Sequence, residues 1–187
     1  MSQKLNILAI NGSASKRSTN LSILKNIAKI GTFELEIIEN LYEFPSFRTE
    51  LTDENVPKPI QQLREKIALA DGLIFCTPEY IFSIPSGLKN ILEWCVSTTV
   101  FSNKPTAIIT ASASGEQGHQ ELKLILETLQ CVLTPETSLL IQGVKGKLNR
   151  EGAILATPLQ KELEELVQSF EQLVKKHMAI SIKLDTE

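Results

Sequence analysis

A chain of 187 residues with 42% hydrophobic and 22% charged residues has an ordinary soluble composition, which sets aside disordered and fibrous classes and predicts one domain spanning 1–187. Its 19 basic and 22 acidic side chains leave a net charge of -3 with no block of like charge, so no nucleic-acid footprint is expected and any anionic ligand must be caught locally. The opening Met1-Ser2-Gln3-Lys4 leads into a short apolar run and a polar turn, neither a signal peptide nor a membrane span, and a cytoplasmic protein without a membrane partner is expected.

In chain order, residues 5–10 form the first apolar run of strand length, followed by a helical face of Leu21, Leu24, Ile27 and Ala28. Residues 33–38 read as the second strand, with Ile60, Leu63, Ile67 and Ala70 on the second helix. The third pair is 73–76 with Leu88, Ile91, Leu92 and Cys95, and the fourth is 106–110 with Leu122, Ile125, Leu126 and Leu129. Residues 138–144 and the face Leu159, Leu163, Leu166, Phe170 and Leu173 complete the series. Strand followed by helix, five times over, demands right-handed crossovers and a parallel sheet covered on both faces. The expected architecture is a three-layer α/β domain, and five strands fit the flavodoxin-like order 2-1-3-4-5. Cys76, Cys95 and Cys131 are odd in number, far apart and set in apolar segments, which argues for buried thiols rather than disulfides or a metal site.

Ligands of such sheets bind beyond the carboxyl ends of the strands, so the loops after strands one, three and four are the ones to inspect. The first, 11–20, offers Ser13, Ser15, Ser18, Thr19 and Asn20 as hydrogen-bonding groups and Lys16 and Arg17 as cations, beside the exposed N–H groups of a helix start. It is a candidate phosphate cradle, though neither a Walker loop nor a Gly-x-Gly-x-x-Gly turn; a plain capped polar loop is the alternative. The second, 77–90, is stiffened by Pro78 and Pro85, carries Glu79, Tyr80 and Phe82, and reads either as a shelf for a flat ligand or as a packed turn or subunit contact. The third, 111–119, is small and polar, with Ser112, Ser114 and Gly115 allowing close approach of a ligand. His119 near this rim is open to a substrate contact or a solvated surface position, and His177 is expected at the end of the last helix. Trp94 faces either the core or a neighbouring subunit, and the aromatic segment 42–47 covers either a partner's site or its own core.

The series Asp71-Gly72-Leu73-Ile74-Phe75-Cys76-Thr77-Pro78-Glu79-Tyr80, then Ser83-Ile84-Pro85, Leu88-Lys89-Asn90 and Trp94, resembles the NADPH-dependent FMN reductases, flavodoxin-like proteins that include chromate or quinone reductases and related azoreductases. The resemblance spans nearly the whole chain; within the series, Ile81 replaces the family's Asn and Glu93 its Asp. It implies that Ser13, Ser18, Thr19 and Asn20 hold an FMN phosphate, with Ser15 where the family usually has Arg and Arg17 two places later as a substitute charge. It also implies that Pro78, Glu79, Tyr80 and Ile81 lie along the isoalloxazine ring, and that Ser112 with Ser114 and Gly115 borders it; Gln117 and Gln120 stand where a Gly and an Arg are common. The implied activity is hydride transfer from NADPH or NADH to FMN and on to a small-molecule acceptor such as a quinone, flavin or azo compound, in a homodimer or homotetramer. A flavodoxin-like electron carrier or flavin-binding sensor is the alternative. Because the flavin carries the redox chemistry, no side chain is nominated as catalytic.

Overall fold

The computed structural model describes residues 4–184. Its strands are β1 (Asn6–Asn11), β2 (Glu34–Ile38), β3 (Gly72–Thr77), β4 (Thr106–Ser112) and β5 (Ser138–Gln142), and its helices α1 (Thr19–Ile30), α2 (Lys58–Leu69), α3 (Ser86–Trp94), α4 (Glu116–Thr128) and α5 (Thr157–Leu184). The strands form one sheet in the order β2-β1-β3-β4-β5, and all four pairings are parallel. The expected fold class and strand order are therefore the observed ones.

Each strand residue points to the face opposite its neighbour, so a strand covered on both sides must be apolar throughout. In β1, Ile7 and Ala9 join a core with Ile23, Leu24 and Ile27 of α1 and Leu163 and Phe170 of α5. Leu8 and Ile10 join the opposite core, with Leu63 and Ile67 of α2, Leu88 and Ile91 of α3, and Leu122 and Leu126 of α4. Two helices thus cover one face and three the other. Cys76, Cys95 and Cys131 are buried and unpaired within these layers.

Three details depart from the periodicity. On α1 it is Ile23 rather than Ala28 that is buried, because the face is centred one position earlier. On α5 the buried row runs Leu159, Leu163, Leu166, Val167, Phe170 and Val174; a 3.6-residue repeat drifts, and Val174 takes the place expected of Leu173. β5 stops at Gln142 because Gly143 turns into the left-handed region at φ 60°, where the ladder cannot continue.

The register sets the carboxyl ends of the strands side by side, with Asn11 opposite Cys76, Thr77 opposite Thr110, and Ser112 opposite Gln142. The order reverses between β1 and β3, and Gly12 N extends that pairing by donating to Cys76 O at 2.8 Å. A Cβ on Gly12 would stand 2.3 Å from Oγ1 of the fully buried Thr77, so only glycine lets the first loop leave the sheet here.

Candidate functional site

The loop after β1 is built around Asn11, which is 2% exposed and whose Oδ1 accepts from Ser13 N and Ser18 Oγ, both at 3.3 Å. Ser13 Oγ accepts from Ser15 N at 3.3 Å, and Ser18 Oγ accepts from Leu21 N at 3.0 Å as the N-cap of α1. Among the described residues, no hydrogen bond reaches the N–H groups of Thr19 and Asn20, which stay open to a ligand at the positive end of the helix. Asn20 itself is buried: its Nδ2 donates to Ala111 O at 3.3 Å and its Oδ1 accepts from Cys76 Sγ at 3.4 Å. Its amide ties the start of α1 to the ends of β3 and β4, while Ser15, Lys16 and Arg17 are exposed around it.

The loop after β3 contains a two-residue hairpin turn. Tyr80 N donates to Ser83 O at 2.9 Å and Ser83 N to Tyr80 O at 3.2 Å, while Ile81 and Phe82 adopt φ of 51° and 59°. This is the geometry that favours Asn-Gly, and each larger residue held in the left-handed region costs roughly 1–2 kcal/mol. Two carboxylates hold the turn against α4. Glu79 accepts from Gly115 N at 3.2 Å and Gly118 N at 2.8 Å, satisfying open donors at the start of α4. Glu121 of α4 accepts in return from Ser83 Oγ at 2.6 Å and Ile84 N at 2.9 Å. Ile81 is 94% exposed, so replacing it with asparagine, which tolerates positive φ, is expected to raise stability by about 1 kcal/mol in urea unfolding of the isolated chain.

The loop after β4 starts at the half-buried Ser112 and turns at Gly115, whose φ of 94° requires glycine. Gly143 N donates to Ala113 O at 3.2 Å and brings the loop after β5 alongside. His119 is half-buried, and both of its ring nitrogens are engaged. Its Nδ1 lies 2.8 Å from Thr110 Oγ1 and its Nε2 2.9 Å from Ser138 Oγ. Burial, with Lys123 nearby, holds its pKa below the ordinary 6.5. The unfolded chain then binds more protons than the native one below about pH 6.5, so stability falls as pH drops through that value. Denaturant midpoints measured between pH 7.5 and 5.5 are expected to show this fall, and His119→Gln is expected to flatten it.

These loops converge on a cleft of about 470 Å³, within the usual size of small-ligand sites. Ser13, Ser15, Arg17, Ser18, Thr19 and Asn20 line it from the first loop, Pro78, Glu79 and Tyr80 from the second, and Ser112 from the third. Ile81, Ser114 and Gly115 lie outside its lining. Gly143, Val144 and Lys145 after β5 complete the wall. The hint to them is the paired glycines of Gly143-Val144-Lys145-Gly146, which signal a turn at the carboxyl edge, although that loop lacks the hydroxyls that mark the others.

The profile of the NADPH-dependent FMN reductases matches residues 5–145. The chain belongs to this family. Among curated relatives of this FMN reductase are the NADH:(hydroxy)cinnamate reductase subunit CrdA of Vibrio ruber, 34% identical over 89% of this chain and 85% of that protein, and the quinone reductase of Escherichia coli, 27% identical over 80% and 84%. The fold is shared with FerB, a flavoenzyme NAD(P)H:(acceptor) oxidoreductase from Paracoccus denitrificans, at a TM-score of 0.79 and 23% identity over 92% of this chain and 98% of that one. An FMN cofactor and a nicotinamide donor follow from membership.

The residues present fit that cofactor. The FMN reductase offers the open N–H groups of Thr19 and Asn20, the hydroxyls of Ser13 and Ser15, and two cations, Arg17 and Lys145, at the end where the family's Arg is missing. Pro78 and Tyr80 supply a flat wall. No thiol competes as a nucleophile: complete burial pushes Cys76 far up, and burial raises Cys95 and Cys131 to about 11. Trp94 is a core residue, with Nε1 donating to Pro45 O at 2.8 Å. The aromatic segment lies over its own α3: Asn90 Nδ2 also donates to Pro45 O, at 3.0 Å, and Phe47 meets Trp94 edge-on at 5.4 Å. His177 lies within α5 rather than at its end.

Proposed function

We propose that the protein works as an NAD(P)H oxidoreductase whose FMN occupies the 470 Å³ cleft and serves a small acceptor of the quinone type. The convergence of three strand-end loops on one cleft at the switch point carries this reading. In it, Ser13, Ser15, Arg17, Ser18, Thr19 and Asn20 surround the phosphate and Lys145 adds charge. Pro78, Glu79 and Tyr80 flank the ring and Ser112 borders it, while Ile81, Ser114 and Gly115 continue the same loops just outside the cleft lining. The bound flavin supplies the chemistry, accepting a hydride and releasing electrons. Asn20 and Glu79 act through the scaffold: each hydrogen-bonds across two loops, so the walls are already set before a ligand arrives.

A second cleft, of about 630 Å³, shares Ser13 and Tyr80 with the first and is walled by Tyr42, Phe44 and Phe47. Its aromatic walls suit a planar acceptor. Among the described residues no helix is long and apolar enough to cross a membrane. We place the protein in the cytoplasm as one domain over 1–187 and read it as a homodimer or homotetramer. The observation behind assembly is the turn apex, where Ile81 and Phe82 are 94% and 75% exposed and rigidly held. Phe82→Asp is expected to lower the mass seen by sedimentation; an unchanged oligomer, or a monomeric wild type, would contradict the assembly.

Anaerobic mixing of FMN-loaded protein with NADPH tests the enzymatic reading. Rapid bleaching of the yellow colour, and its return on adding a quinone, is the expected result. Slow bleaching with flavin retained would favour an electron carrier.

A further inference from the structure

The flavin cleft does not end at its phosphate pole. A groove of about 570 Å³ continues from it along the outside of α1, and Arg17, Ser18, Thr19 and Lys145 line both. Lys16, Lys25 and Arg150 bring the groove to five cations with Arg17 and Lys145, against the single carboxylate of Glu151. That excess of four positive charges stands on a chain whose net charge is -3. None of the five cations enters an ion pair among the described residues.

The far wall of the groove is fixed in place. Residues 147–155 form a small hairpin, with Asn149 N donating to Ala153 O at 2.9 Å and Leu155 N to Lys147 O at 2.9 Å. Gly152, at φ 82°, packs so tightly on Ser22 that a Cβ would stand 2.6 Å from its Oγ, and Asn26 Nδ2 donates to Gly152 O at 2.9 Å. The hairpin is therefore pinned to α1, and Leu21 and Leu148 give the groove an apolar patch between its cations.

We propose that this groove receives the second phosphate and the nucleoside of a diphosphate-linked flavin, so that the protein takes FAD as well as FMN. The proposal rests on the flavin reading of the adjoining cleft. A ligand seated with its phosphate at Ser18 and Thr19 has the groove adjoining that phosphate, and a second phosphate joined to it by an anhydride meets Arg17 and Lys145, which line both spaces. The nucleoside beyond it finds the apolar side chains of Leu21 and Leu148 in the same lining as Lys25 and Arg150. A nicotinamide donor fits the groove less well. It must reach the flavin ring at the Pro78–Tyr80 wall, and no residue of that wall lines the groove.

Calorimetric titration of the apoprotein with FMN, FAD and ADP, on wild type and on the Lys25→Glu/Arg150→Glu double variant, tests this. Both substituted side chains are exposed and line the groove but not the flavin cleft, so FMN binding doubles as the check that the variant is folded. The expected result is that wild type binds FAD within threefold of FMN, and that the double variant loses tenfold or more in FAD affinity with less than twofold change for FMN. FAD binding tenfold weaker than FMN in wild type would overturn the proposal. Equal losses for the two flavins, or a groove that binds ADP while FAD is indifferent to the variant, would overturn it too. A protein that binds no flavin at all would instead refute the reading of the cleft.

Discussion

Glu79→Ala is expected to weaken FMN binding by tenfold or more and to lower stability by about 2–3 kcal/mol. The side chain is half-buried and contributes both oxygens, one to Gly115 N and one to Gly118 N, so its loss leaves two donors at the start of α4 without their partner. It also uncouples the loop after β3 from the loop after β4, both of which line the flavin cleft. Glu79→Gln keeps one acceptor and loses the charge that faces the helix start, so an intermediate loss is expected. Urea unfolding reads the first effect and flavin titration the second. A Glu79→Ala protein with wild-type flavin affinity would show that the walls hold without the clamp.

Trp94→Ala is expected to have the larger effect on folding, about 3–5 kcal/mol in chemical denaturation, as for other large aromatic side chains removed from a packed core. Trp94 is fully buried, stacks edge-on against Phe47 and donates to Pro45 O. Pro45 O keeps Asn90 as a donor, and the backbone carbonyl of Trp94 still accepts from Arg64 Nε at 3.1 Å. The loss is therefore chiefly one of packing. The segment carrying Phe44 and Phe47 would loosen with it, and because those rings wall the second cleft, KM for a quinone is expected to rise more than kcat falls. Trp94→Phe, which keeps most of the apolar contact and drops the hydrogen bond, is expected to lose about 1 kcal/mol.

The fold was legible because each strand and helix carries its own periodicity, and because repeated strand-to-helix crossovers leave few topologies. Legibility failed where phase is set by packing across elements. Nothing local distinguishes Ile23 from Ala28 or Val174 from Leu173 until α1 and α5 meet the same sheet face. The open helix start of the first loop was legible from its hydroxyls, since Ser and Thr beside a helix start announce open N–H groups. The engagement of Asn20 with Ala111 and Cys76 was not, because it spans 91 and 56 residues of chain. The clamp by Glu79 was hidden for the same reason: a carboxylate that accepts from backbone N–H groups leaves no complementary side chain to find. Lys145 reaches the cleft only because the turn at Gly143 is drawn to Ala113. The left-handed turn at Ile81 and Phe82 contradicts local preference, and only the carboxylates on either side account for it.

The cleft between Thr19, Tyr80 and Ser112 is proposed as the flavin site. Incubation of the protein with excess FMN, followed by gel filtration and an absorption spectrum of the protein peak, tests it most directly. One flavin per chain, with a bound-flavin spectrum, is expected, with loss of that flavin in the Glu79→Ala variant. A colourless protein peak from folded wild type would contradict it.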